Sequence, residues 1–176
     1  MVNVYEPGQE CALCKGRCCK ECGCTLSPAD MLRSLEGTAP DRENILRMLQ
    51  APDGLYAIDS FSARHGRTYF LRMKHKCYTF IGVDAIGECI ALTDSGCSLS
   101  FSERPLGGRS LKSSPDMHCT QEYTRELITQ DWEPYQEALR SIYVEFEEKL
   151  TQDGTFDKCD EEYYRWLRGK REGSVL

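Results

Sequence analysis

The chain has 176 residues, with 22 Lys or Arg against 28 Asp or Glu and a formal charge of −6. That length suits one domain with a real hydrophobic core, which needs no cross-links merely to fold. The acidic balance argues against a partner such as nucleic acid, and no run approaches the about eighteen apolar residues of a membrane span.

In chain order, the opening MVNVYEPGQE has neither the apolar stretch nor the basic start of a secretory signal, so a reducing, cytoplasmic setting is expected. The next fourteen residues, Cys11 to Cys24, hold six of the 11 cysteines and almost no hydrophobic periodicity. They read as irregular backbone around a site. Ser27-Pro28-Ala29-Asp30 is a helix start: Ser27 as N-cap, Pro28 at the first position, and Asp30 as a carboxylate in the first turn. Met31, Leu32 and Leu35 give that helix an apolar face and Gly37 closes it. A second helix is predicted over Asp41 to Leu49, on Ile45, Leu46 and Leu49.

The texture then turns to strands. Leu55 to Phe61 and Thr68 to Met73 are predicted to form a hairpin through the polar segment Ala63 to Arg67, and Tyr78 to Val83 and Glu88 to Leu92 are shorter strand candidates. Leu99 to Pro115 is rich in Ser, Gly and Pro and reads as a long ordered loop. Cys119 to Thr129 is a helix candidate. Asp131 is the expected N-cap of the next helix, with Pro134 in its first turn. There Tyr135, Leu139, Ile142, Tyr143, Phe146 and Leu150 recur at helical spacing. A last short helix is expected over Asp160 to Arg168. The expected fold is α+β: a small single domain over residues 1–176 with an irregular Cys-rich metal-binding loop, a short antiparallel sheet and C-terminal helices. Its cysteine-cluster region covers 11–119 and its helical part 120–170.

Clustered thiols in a reducing compartment point to a soft metal ion more than to disulfides, and an odd cysteine count suits a complete disulfide framework poorly. Four thiolates suit tetrahedral zinc or a cubane iron–sulfur cluster. Cys11-x-x-Cys14 is the short chelating bite. The doublet Cys18-Cys19 serves two metals, or two irons, more naturally than one, because adjacent side chains diverge. Cys89, Cys97 and Cys119 stand at element boundaries and read as ligands more readily than as core, although cysteine is also a small buried hydrophobe. Cys97 follows Gly96, and Cys119 is expected at a helix N-terminus, where the dipole favours a thiolate. Cys77 and Cys159 have no chelating neighbour and read as core residues; Cys22 stays open.

A resemblance extends this ligand set. Cys11-x2-Cys14-x3-Cys18-Cys19, then Gly23-Cys24-x-Leu26-Ser27-Pro28-x-Asp30, resembles the cysteine-cluster family described as zinc- or iron-chelating, the CxxCxxCC (YkgJ-like) family. Gly87-Glu88-Cys89-x2-Leu92-Thr93-x2-Gly96-Cys97-x-Leu99, followed by Glu103-Arg104-Pro105 and Gly107-Gly108-Arg109, is similar to that family's downstream stretch. Gly108 stands where the family often has a further cysteine, so either Cys119 replaces that ligand or the site is built differently. The resemblance implies eight metal ligands: Cys11, Cys14, Cys18, Cys19, Cys24, Cys89, Cys97 and Cys119. The implied cofactor is zinc or an iron–sulfur cluster. So many thiolates call for nearby cations, with Lys15, Arg17, Lys20, Arg104 and Arg109 as candidates; solvated surface, or a structural hydrogen bond for Arg104, is the plainer use.

The first functional expectation is a metal-binding protein whose physiological reaction is unknown. An alternative is an enzyme, because the family resembled includes flagellin lysine N-methylases, but those chains are longer and no GxGxxG nucleotide loop is present here. Of the histidines, His65 and His75 read as exposed, and His118, beside Cys119, as a ligand or a base only in the minority reading. The carboxylate-rich stretches Glu145 to Lys149 and Asp157 to Glu162 read as helix exteriors. A further alternative is a structural-zinc module whose aromatics Tyr135, Tyr143, Phe146, Tyr163, Tyr164 and Trp166 dock a protein partner; packing between C-terminal helices is their simpler use.

Overall fold

The computed structural model describes residues 19, 23–52, 54–76, 88–112 and 119–152. Within them the chain is α+β, built on a two-stranded hairpin with helices packed against it. Helix α1 spans Pro28–Ser34 and starts as its sequence dictates. The Ser27 side chain accepts from the Asp30 N–H, and the Asp30 side chain accepts from the Ser27 N–H, a reciprocal capping box. The helix ends at Ser34, ahead of Gly37, and both Glu36 and Gly37 take left-handed backbone. Helix α2, Arg42–Gln50, is capped by the Asp41 side chain and buries Ile45 and Leu49.

Strands β1 (Tyr56–Ala63) and β2 (Gly66–Met73) pair antiparallel with Tyr56 opposite Met73 and Ala63 opposite Gly66. The turn is therefore tighter than the sequence suggested, only residues 64–65. From Thr68 to Met73 every residue of β2 is buried, so both of its faces are covered. Residues 24–26 run antiparallel along the other edge of β2. Met73 N–H donates to Cys24 O at 2.8 Å and Leu26 N–H to Leu71 O at 2.8 Å, with Thr25 bridged to Arg72 between them.

The expected loop over Leu99 to Pro115 is more ordered than its composition implies. It carries short strands β3 (Leu92–Thr93) and β4 (Gly96–Cys97) before it. A 3-10 turn over Phe101–Glu103, helix α3 (Leu106–Arg109) and strand β5 (Leu111–Lys112) then follow. Of the predicted strand Glu88 to Leu92, only a bridge from Cys89 to His75 and the start of β3 form. Tyr78 to Val83 and Asp160 to Arg168 lie outside the described residues.

The C-terminal helices start elsewhere than expected. Cys119 opens no helix: Thr120–Gln121 is strand β6, paired with β5, and helix α4 is Arg125–Trp132, capped by Thr124. Asp131 is not a cap but lies within α4 and accepts from the Tyr123 hydroxyl at 3.0 Å. Pro134 sits in a 3-10 turn, Glu133–Tyr135, that leads into α5, Gln136–Gln152. The helical spacing in α5 does mark the core: Leu139, Ile142 and Tyr143 are buried, and the Tyr143 ring packs 5.2 Å from that of Tyr69 on β2. Trp132, fully buried, donates its indole N–H to Leu26 O at 3.1 Å and so ties α4 to the chain edge beside β2. No helix among the described residues is long and apolar enough to cross a membrane.

Candidate metal centre

Two cysteine-bearing segments, far apart in sequence, meet beyond the end of β2. Cys24 lies on the edge segment paired with β2, and Gly23 before it approaches the strand so closely that a Cβ would fall 2.2 Å from Met73 O. Only glycine fits there. Cys89 arrives from the other direction. Its backbone bridges His75 just after β2, with Lys76 N–H donating to Glu88 O at 2.9 Å and Ile90 N–H to Lys74 O at 2.8 Å on either side. The Cys89 N–H donates to Cys19 O at 2.7 Å, which joins the downstream segment to the first cysteine run.

Cys89 and Cys19 are buried, Cys24 and Cys97 half-buried. Burial pushes the Cys89 thiol up, and the charge of a neighbouring Cys97 thiolate adds to the rise. Backbone N–H groups of Ala91 and Cys24, which hydrogen-bond the sulfur, and the Arg72 cation pull the other way without cancelling it. Burial there therefore works against the thiolate, and a cation at the sulfur would offset that cost.

Arg72 and His75 lie between the two segments, both buried. Arg72 Nε stands 2.6 Å from Asp59 Oδ2. The pair is close but poorly aligned, so it neutralises charge without forming a true hydrogen bond. His75 is 1% exposed, against the expectation that it faces solvent, because the bridge to Cys89 turns it inward. Its Nε2 accepts from the Gly23 N–H at 3.0 Å and also faces the Arg72 guanidinium. Burial, reinforced by the Arg72 charge, holds the imidazole pKa down at about 3, so the ring is neutral.

A second clamp joins the two halves of the sequence pattern. Asp30 Oδ2 accepts from the Ser27 N–H and hydroxyl, both at 2.9 Å, and from the Leu106 N–H at 2.8 Å. Its Oδ1 accepts from Arg109 at 3.0 Å and Arg33 at 3.1 Å. The Ser-Pro-x-Asp and Arg-Pro…Gly-Gly-Arg stretches are therefore partners across the fold. Helix α3 is drawn onto the edge segment, with the Gly107 N–H donating to Thr25 O at 2.9 Å. A Cβ on Gly108 would stand 3.0 Å from Cys24 Sγ.

Of the eight expected ligands, Cys19, Cys24, Cys89 and Cys97 belong to this region. Cys119 is exposed and precedes β6, without the helix N-terminus expected for it. Cys11, Cys14 and Cys18 lie outside the described residues, as do Cys22, Cys77, Cys159, His118, Lys15, Arg17 and Lys20. Among the described residues no group of three or more His, Cys, Asp or Glu is arranged to hold a metal ion, and none of the five cysteines is in a disulfide. Arg109 serves Asp30. Arg104 is buried, with its Nε donating to Leu99 O at 3.3 Å, the structural use. The cation that the sequence reading missed is Arg72, and its one signal is an arginine inside an otherwise apolar strand run. Comparison with family models, with curated proteins and with solved structures finds no match to this chain.

Proposed function

We propose that this chain is a metal-binding protein of the CxxCxxCC kind, holding zinc or an iron–sulfur cluster through Cys11, Cys14, Cys18, Cys19, Cys24, Cys89, Cys97 and Cys119. The observation that carries the reading is the junction of the two cysteine groups: Cys89 hydrogen-bonds the Cys19 carbonyl through its own N–H and receives the Cys24 N–H at its sulfur. The donor chemistry supports it. N–H groups aimed at sulfur stabilise a thiolate, and burial penalises that thiolate unless a cation sits on it. Zinc in an all-thiolate site leaves no open position and contributes folding energy, whereas an iron–sulfur cluster supplies electron transfer.

The test is elemental analysis with an absorption spectrum on the whole chain purified without oxygen, beside the Cys89→Ser variant. The expected result is zinc, or iron with acid-labile sulfide and broad visible absorption, at whole-number stoichiometry and reduced in the variant. Wild-type protein holding neither metal above background, with metal supplied during expression, sinks the proposal. Metal content unchanged in Cys89→Ser removes Cys89 from the ligand set.

A further inference from the structure

We propose that His75 is a positioning residue of the thiolate site, tying the Cys24 segment to the Cys89 segment as a hydrogen-bond acceptor and not as a metal ligand. The inference rests on the metal-binding reading and deepens it. One residue touches both segments: the imidazole Nε2 accepts from Gly23 N–H at 3.0 Å, and the backbone bridges Cys89. Gly23 lies close against β2, where an added Cβ would fall 2.2 Å from Met73 O, and the Met73 N–H in turn donates to Cys24 O at 2.8 Å. Without the imidazole, the buried Gly23 N–H loses its acceptor, and the cysteine next to it loses its fixed placement.

The same geometry excludes ligation. Nε2 accepts from the Gly23 N–H, and Arg72 Nη1 stands 2.5 Å from Nε2 and 3.3 Å from Nδ1, so both ring nitrogens already face an N–H donor of the protein. The Arg72 cation against the ring also repels a metal ion. His75 thus acts one step out from the sulfurs, where outer partners orient ligands and tune affinity.

Three variants of the full chain separate the roles. His75→Gln sets a carbonyl oxygen at about the reach of Nε2, His75→Asn sets one too short to meet Gly23, and His75→Phe fills the space with no acceptor. Two readouts are taken: hydrogen exchange at the Gly23 amide, and the rate of metal loss to a chelator, with the cobalt-substituted spectrum reporting the ligand type. In the Phe and Asn variants the exchange is expected to rise about tenfold or more, and metal loss about 10- to 100-fold. The Gln variant is expected to stay within about threefold of wild type, with an unchanged all-sulfur spectrum. A Gln variant as impaired as Phe, an imidazole-type cobalt spectrum in wild type, or Phe and Asn variants indistinguishable from wild type overturns the inference. If His75→Phe does not fold, the Gln and Asn pair carries the same contrast. If wild type binds no metal, the metal reading fails by itself, and the Gly23 exchange alone decides whether His75 is the tie.

Discussion

At the scale of single residues, Asp30 gathers five donors: both Ser27 donors, the Leu106 N–H and two arginines share one carboxylate. Burial by itself raises its pKa. The Ser27 and Leu106 hydrogen bonds and the Arg109 charge outweigh that and leave it below the ordinary 3.8. A group depressed on folding contributes stability that is fully present above its unfolded pKa and lost as pH falls through the folded one. Asp30→Asn is therefore expected to lower stability at pH 7 by about 1–3 kcal/mol, the cost of breaking a buried charged network. It also flattens the acid limb below pH 3.8. Urea midpoints for both proteins from pH 7 to pH 2.5 check this, and parallel curves count against it. Half of this role was legible in advance. The capping box follows from Ser27, Pro28 and Asp30 in sequence order, but the bond to Leu106 spans residues that no local rule connects. His75 was misplaced for the same reason: a histidine after a lysine looks solvated until its bridge to Cys89 is known.

Among the elements, helix α3 is the one that composition hid. Leu106-Gly107-Gly108-Arg109 has two residues that each disfavour helix by about 1 kcal/mol, so the stretch reads as loop. Tertiary contacts overrule propensity, since Asp30 caps it from outside and the glycines let it lie against Thr25 and Cys24. In an exposed helix, Gly→Ala stabilises. Here a Cβ at position 107 falls 2.7 Å from Thr25 O and 2.8 Å from Thr25 N, both backbone atoms of the edge segment. Gly107→Ala is expected to destabilise by about 1–3 kcal/mol, the overpacking range. A thermal melt measures it, and an unchanged or raised midpoint contradicts the close packing of α3. Helix α5 shows the opposite case. Its spacing named Leu139, Ile142 and Tyr143 correctly, since a one-sided apolar stripe is a local property. The start of α4 was placed too early, at Cys119, because Thr120–Gln121 pairs with β5 across the fold and the helix begins only after the Thr124 cap.

Across the whole molecule, β2 is the organising line. The hairpin partner β1 covers one edge, residues 24–26 the other, and α4 and α5 pack on it. The strand's C-terminal end feeds directly into His75 and so into Cys89. The fold class was readable because hairpin and helix periodicities are local. The meeting of the cysteine groups was not, because it depends on contacts such as Gly23 to His75 between residues 52 apart. This layout makes a prediction about the whole fold. If a metal bridges the first cysteine run to Cys89, it cross-links the edge segment of β2 to the chain leaving β2, and its binding energy becomes folding energy. A strong chelator is then expected to lower the melting midpoint of wild type by several degrees, about what 1–2 kcal/mol produces in a domain of this size. In Cys89→Ser the same treatment should shift the midpoint far less, because the variant has already lost the bridge. The two perturbations are non-additive when they act on one site and additive when they act on two. Melting curves of the two proteins, each with and without chelator, supply that cycle. Equal chelator shifts in both place any bound metal away from Cys89, and no shift in either removes the metal from the stability of the fold.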